Sequence, residues 1–258
     1  FGVEVVPLTV TIDGEEFLEG VDLDADAFYA HFEDGRQPAV TTAAPSPGRF
    51  LAAYEALAAA GATEVLSVHI GSNISATVNA ARVGAELAPV PVRIVDTATA
   101  SFAISCCLWE AADAVACGAG LDAAAARAED VGRRCGLVFV VAGLELARAG
   151  GRLAAGGDGG AGTIPVLTLR DGALTPVGQA ATVDEAAAAM ASYVLGAGAG
   201  LRVGIGVADR GAAPLWRALE GALAGQPEVA EVVRYRIGPS VGAHTGPGTA
   251  GAVFYRAG

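Results

Sequence analysis

The chain has 258 residues, 53% hydrophobic and 17% charged, enough for one large or two modest folded domains and too apolar for a disordered chain. Its 16 basic residues are all Arg and stand against 28 Asp and Glu, a net charge of −12 that argues against nucleic acid and anionic membrane surfaces as partners. Mean hydropathy is +0.47, but the 19 uncharged residues between Arg236 and Arg256 include five Gly, two Pro and His244, so no membrane insertion is expected.

The opening residues Phe1-Gly2-Val3-Glu4 lack the basic and then apolar pattern of a signal peptide. Cys106, Cys107, Cys117 and Cys135 have neither metal-ligand spacing nor the density of a disulfide framework, so reduced thiols, a cytoplasmic location and no bound metal are expected.

Taken in chain order, residues 3–12 read as a strand running into the turn Asp13-Gly14, and 24–32 as a short helix. Ser46 caps a helix to residue 60 with Pro47 at its first position, and Gly61 ends it. Residues 64–70 form a short apolar run, expected of a buried parallel strand, followed by the turn Gly71-Ser72-Asn73 and an Ala-rich helix over 75–87. A strand over 92–95 ends at Asp96. Helices over 101–117 and 121–135, a strand over 137–141 and a short helix over 144–149 follow.

Strands alternating with helices of these lengths predict an α/β fold with a parallel sheet and helices on its faces. The pattern changes after Gly150, so the expected division is an N-terminal α/β domain over 1–150 and a C-terminal α+β domain over 151–258. Residues 156–162 are Gly-rich. Beyond them, 163–169 and 173–180 flank Arg170-Asp171-Gly172, a hairpin signal. A helix from 183, a strand over 202–208, a helix from 213 and strands over 229–237 and 252–256 complete the chain.

Three segments combine small polar residues with tight turns: 41–48 before a helix, 69–77 at the carboxyl end of a strand, and 241–248. Ligands of open α/β sheets bind beyond the carboxyl ends of the strands. The first two segments are also helix starts, where free N–H groups and the helix dipole favour an anion. A Ser or Thr before a helix is most often only a cap, and His69 fits a packed core residue. His31 has no assigned role. His244 differs, because the Gly and Pro around it pin the backbone from which it projects.

Together these segments resemble one family. The DegV family of bacterial fatty-acid-binding proteins carries a Thr-Thr-Ser-Gln-Pro-Ser-Pro-Gly-like loop, a His-Ile-Ser-Ser-x-Leu-Ser-Gly-Thr-Tyr turn, a Val-Ile-Asp-Ser segment, a Gly-Gly-Arg-Ile turn and a Gly-x-His-x-Gly-Pro-Gly-like loop. Their counterparts here are 41–48, 69–78, 94–103, 150–153 and 242–248, in the same order. The resemblance implies a two-domain fold of the DegV kind and a long-chain fatty acid in a buried tunnel. It also implies a carrier that performs no catalysis, needs no cofactor, and presents the carboxylate to an ATP-dependent fatty acid kinase subunit. Residue by residue, Thr42 and Ser75 match the carboxylate-binding Thr and Ser, with Ser72 as a neighbour. His244 matches the His that joins them, Arg152 the Arg of the Gly-Gly-Arg turn, and Thr41 is a possible support.

The sequence departs from the family pattern at Ala43, Ala44, Gly71, Ala76 and Val78, and no Lys accompanies Thr163-Ile164-Pro165. The family's first strand has no counterpart before Phe1, so the N-terminal domain is expected to lack it. Two other readings stay open. A serine hydrolase or acyltransferase would use Ser72 or Ser75 with His244 and Asp96, although no Gly-x-Ser-x-Gly elbow surrounds either Ser. A phosphosugar or nucleotide binder would use the same helix starts without a Walker or Gly-x-Gly-x-x-Gly sequence.

Overall fold

The computed structural model describes residues 2–141 and 163–256. They fall into two compact units interleaved along the chain: Phe1–Thr9 with Ala43–Arg134, and Val10–Thr42 with Cys135–Gly258.

In the first unit, β4 (Val65–His69) and β5 (Val92–Asp96) pair in parallel, from Val65 opposite Val92 to His69 opposite Asp96. Four helices belong to this unit: α2 (Pro47–Ala59), α3 (Thr77–Ala85), α4 (Phe102–Ala116) and α5 (Leu121–Arg134). Ser46 caps α2 as expected, its Oγ accepting the Arg49 N–H at 3.4 Å. One core cluster joins Phe50, Tyr54, Val65 and Ala81. In α5 the buried residues Ala124, Ala125, Ala128, Val131 and Gly132 form one helical stripe. Small side chains are needed there because the backbone comes close: a Cβ on Gly132 would lie 2.5 Å from the Thr97 carbonyl oxygen.

The second unit is built on a six-stranded sheet in the order β10-β9-β11-β6-β7-β8. Its strands are β6 (Gly136–Val140), β7 (Ile164–Arg170), β8 (Ala173–Ala180), β9 (Leu201–Val207), β10 (Val229–Arg236) and β11 (Ala250–Arg256). Only β9 and β10 run parallel; the other neighbours are antiparallel. The turn between β7 and β8 puts Asp171 and Gly172 at φ of 50° and 81°, the paired positive values the Asp-Gly signal anticipates. Helices α6 (Val183–Leu195) and α7 (Ala213–Leu223) bury Met190, Val194, Leu219 and Leu223 against Val138, Val203, Ile205 and Ala252.

A second core in this unit positions the candidate site. The hairpin of β1 (Thr9–Ile12) and β2 (Glu15–Leu18) adds β3 (Val40–Ala43) beside β1, giving the order β2-β1-β3. Val10 and Ile12 pack with Leu23, with Phe28 and Tyr29 of α1 (Ala25–Ala30), and with Ala208, Ile237 and Ala243. Ala243 lies on the short helix α8 (Pro239–Thr245).

Four differences from the sequence reading have physical causes. The strand expected over 3–12 begins only at Thr9; Pro7, which has no N–H to give a ladder, lies before it. Thr41 and Thr42 lie in β3, where the reading placed a loop. Residues 241–248, also read as a loop, are largely α8, which Pro239 starts at a position tolerant of its missing N–H and Gly246 ends at φ 74°. The units cut across the linear division 1–150 and 151–258, because β6 hydrogen-bonds along β11 and so joins the C-terminal sheet. The helix expected over 144–149, the boundary at Gly150, the Gly-rich run and Arg152 lie outside the described residues.

Across β6 and β11, glycine faces aromatic in both directions: Gly136 opposes Phe254, and Gly251 opposes Phe139. A Cβ on Gly136 would sit 2.3 Å from Phe254 Cζ, so the buried ring occupies the space of the absent side chain. Gly136→Ala is expected to destabilise the protein by about 1–3 kcal/mol through overpacking, measured by chemical denaturation.

Candidate functional site

In the second unit a polar pairing joins two residues 202 positions apart: Thr42 Oγ1 lies 3.1 Å from His244 Nε2. Each side chain is half-buried. Strand alternation explains why Thr42 and not Thr41 makes the contact, since neighbours on β3 point to opposite faces and Thr41 is exposed. His244 projects from the last turn of α8, whose Gly242 and Ala243 are buried.

The atoms permit a useful arrangement. With Nε2–H donating to Thr42 Oγ1, the Thr hydroxyl keeps its own proton for an acceptor outside the pair. A carboxylate only accepts, so it is one of the groups that proton could be given to.

Two carboxylates that sequence reasoning passed over bracket α8. Glu19 Oε1 accepts the Ser240 N–H at 3.0 Å, and Asp209 Oδ1 accepts the Gly248 N–H at 3.0 Å. Asp209 carried a signal, a carboxylate just beyond the end of strand β9; Glu19 sits among other acidic residues and carried none.

In the first unit, the turn after β4 is built on Gly71, whose carbonyl accepts the N–H groups of Ile74 at 2.9 Å and Ser75 at 3.0 Å. Ser75 Oγ lies 2.8 Å from Thr77 Oγ1 and accepts the Thr77 N–H at 3.3 Å, so it also braces the start of α3. Ser72 is exposed, and its N–H donates to Asp96 Oδ1 at 3.1 Å. The same oxygen takes the Ala98 N–H at 3.0 Å. Burial pushes the Asp96 carboxyl up, but hydrogen bonds from the Ser72 side chain and the two N–H groups, with Arg82 nearby, hold it below its ordinary value. Asp96, the third member of the hydrolase alternative, is thus an ionised anchor for two loops.

His69 behaves as the core residue expected of it. Its Nε2 lies 2.7 Å from Ser67 Oγ, which lies 2.9 Å from the Tyr54 hydroxyl, and its ring meets Phe50 edge-on. Burial holds the imidazole down at about 4, helped by Arg82 and opposed by Asp96. Among the described residues no cluster of three His, Cys, Asp or Glu could hold a metal, and no helix is long and apolar enough to cross a membrane.

A family model described as "Uncharacterised protein, DegV family" matches residues 1–257. A DegV domain-containing protein of Streptomyces coelicolor is 33% identical over 256 residues, 98% of this chain and 90% of the relative. A structure described as fatty acid binding of a DegV family protein from Thermus thermophilus superposes with a TM-score of 0.87 at 28% identity, covering 99% of this chain and 92% of the other. A DegV lipid binding protein from Thermotoga maritima gives 0.85 at 25% identity, covering 97% and 89%. The fold is theirs: mixed α/β, in two parts.

Two outcomes test the first unit. As pH falls from about 6.5 to about 4, the unfolded chain takes up a proton that buried His69 refuses, so stability present above about 6.5 is lost across that window. Denaturation near pH 5 should show about 2 kcal/mol less stability than near pH 7 from this residue, and His69→Gln should remove that part. Gly71→Ser, which restores the family's residue, should cost about 1–3 kcal/mol in the same assay. A Cβ there would meet Ala98 C at 2.8 Å and Ala98 Cα at 2.9 Å.

Proposed function

The chain belongs to the DegV family, and we propose that it binds a long-chain fatty acid whose carboxylate is taken by Thr42 and His244. The observation that carries this reading is the 3.1 Å contact between Thr42 Oγ1 and His244 Nε2, two residues with no neighbour relation in sequence. The described likeness to fatty-acid-binding and lipid-binding DegV proteins supports it. Ser75 and Ser72 are proposed as further head-group hydroxyls on the family resemblance, and Arg152 as a supporting cation. Thr41 is left aside, because it lies on the opposite face of β3 from Thr42.

Magnitudes divide the work between tail and head. Burying roughly fourteen methylenes is worth at most about 11 kcal/mol before ordering costs. A hydrogen bond to a charged group adds about 1.5–3 kcal/mol. The tail therefore supplies most of the affinity, and the polar pair decides which end is held and what chemistry it bears.

In this reading the protein is a carrier that performs no reaction of its own and uses no cofactor. Its finer part is a handover: the bound carboxylate is presented to an ATP-dependent fatty acid kinase subunit, which forms the acyl phosphate. The family resemblance supports that step, and the free thiols of Cys106, Cys107 and Cys117 suit a reducing cytoplasm. Loaded protein should give a hydroxylamine-trappable acyl phosphate with ATP only when such a subunit is added.

Solvent extraction of the purified protein, read by mass spectrometry, should release a fatty acid. Thr42→Val should lower affinity for palmitate about tenfold, and affinity for its methyl ester by less than about twofold. A lipid-free extract from protein that also fails to bind added palmitate overturns the reading.

A further inference from the structure

Helix α8 is seven residues long, too short for its own hydrogen-bond ladder to hold it in place. Its position must come from contacts outside it, and three are present within the same unit. In the first turn, Glu19 Oε1 accepts the Ser240 N–H at 3.0 Å. Beyond the last turn, Asp209 Oδ1 accepts the Gly248 N–H at 3.0 Å and the Ala212 N–H at 3.1 Å, tying the segment to the end of β9. Between them Gly242 rests on α1, where a Cβ would lie 2.6 Å from the Tyr29 hydroxyl and 2.7 Å from the Phe28 ring.

Ser240 and Gly248 each lie four residues from His244, so the two carboxylates grip the chain evenly on either side of the imidazole. Hydrogen bonds from backbone N–H to an ionised carboxylate are roughly twice as strong as neutral ones. The turn between Thr245 and Gly248 is closed further by Thr249, whose hydroxyl hydrogen lies between the Thr245 and Gly246 carbonyls, each 2.9 Å from its Oγ1. Gly246 and Gly248 both adopt φ of 74°, so the chain doubles back at once after the helix. The Tyr29 hydroxyl beneath is buried and has no hydrogen-bond partner among the described residues, and burial followed by the Asp209 charge raises its pKa. It acts as a neutral, space-filling floor.

We propose that Glu19 and Asp209 are positioning residues for His244, fixing both ends of the 239–248 segment so that Nε2 stays on Thr42 Oγ1. This rests on the reading that Thr42 and His244 take the fatty-acid carboxylate. Removing either grip frees one end of a short helix, and the loss falls on recognition of the acid more than on burial of the tail.

The test compares affinities for palmitate and methyl palmitate in the full chain and in Asp209→Ala, Asp209→Asn, Glu19→Ala and Glu19→Gln. The Ala variants should lose about tenfold for the acid and less than about twofold for the ester. The amide variants keep a carbonyl oxygen that accepts the same N–H, so they should recover most of the acid affinity. In a Thr42→Val background, Asp209→Ala should add no further loss. A wild-type protein that binds acid and ester alike overturns the head-group reading itself. A wild-type preference for the acid that survives both Ala variants, or Ala variants that lose acid and ester equally, overturns the positioning role. Should Asp209→Ala not fold, Glu19→Ala and the two amide variants carry the same comparison.

Discussion

The Thr42–His244 hydrogen bond joins β3 to α8 across 202 residues, and the rest of the second unit makes sense as the frame that permits it. A single such bond contributes about 1 kcal/mol net, far too little to gather that much chain. Causation therefore runs from the core outward. Val10 and Ile12 on β1, Phe28 and Tyr29 on α1, and Ala208, Ile237 and Ala243 bury one another, and that burial brings β3 and α8 to their places. Carboxylates at both ends of α8 then set its fine position. The polar pair is the readout of a packed frame, not its cause.

His69 and His244 show how environment separates roles. His69 is buried against Phe50, bound through Ser67 to Tyr54, and kept neutral through the physiological range. Such a group stiffens the end of β4 and the turn that follows it. His244 is half-buried at the end of a short helix and meets a hydroxyl, where an outside acceptor can complete the set. Asp96 parallels His69: its Oδ1 is spent on the N–H groups of Ser72 and Ala98, which keeps two loops in register.

Much of the fold was legible because local chemistry agreed with tertiary need. Ser46-Pro47 announced α2, Asp171-Gly172 announced the β7–β8 turn, and the apolar run over 64–70 with the strand expected over 92–95 announced the paired parallel strands. The interleaving of the units was not legible, because nothing in residues 136–140 says whether their partner strand is β5 or β11. The helix around His244 hid behind its Gly and Pro content, since Pro239 and Gly246 punctuate its two ends while Gly242 reads as a breaker in its middle. Gly242 is there because Phe28 and Tyr29 fill the space a side chain would need, a reason visible only in three dimensions. For the site, ordered motifs marked Thr42 and His244 individually, whereas Glu19 and Asp209 act through backbone N–H groups of distant residues, and of the two only Asp209, just past the end of β9, stands at a place in the chain that marks it.

Net charge sharpens the proposed division between tail and head. At −12, the protein's field opposes the approach of an anion. That repulsion is screened beyond about 8 Å at physiological salt, while burial of a long alkyl chain is unaffected by it. The proposed ligand, with one charge and a long apolar body, is penalised less by that field than a compact polyanion is. In the proposed reading the head group meets short-range donors, the Thr42 hydroxyl and the His244 imidazole, whose dipoles act at contact distance and do not depend on the sign of the surface. An acidic protein can hold an acid in this way because selectivity comes from the last few ångströms and affinity from the tail.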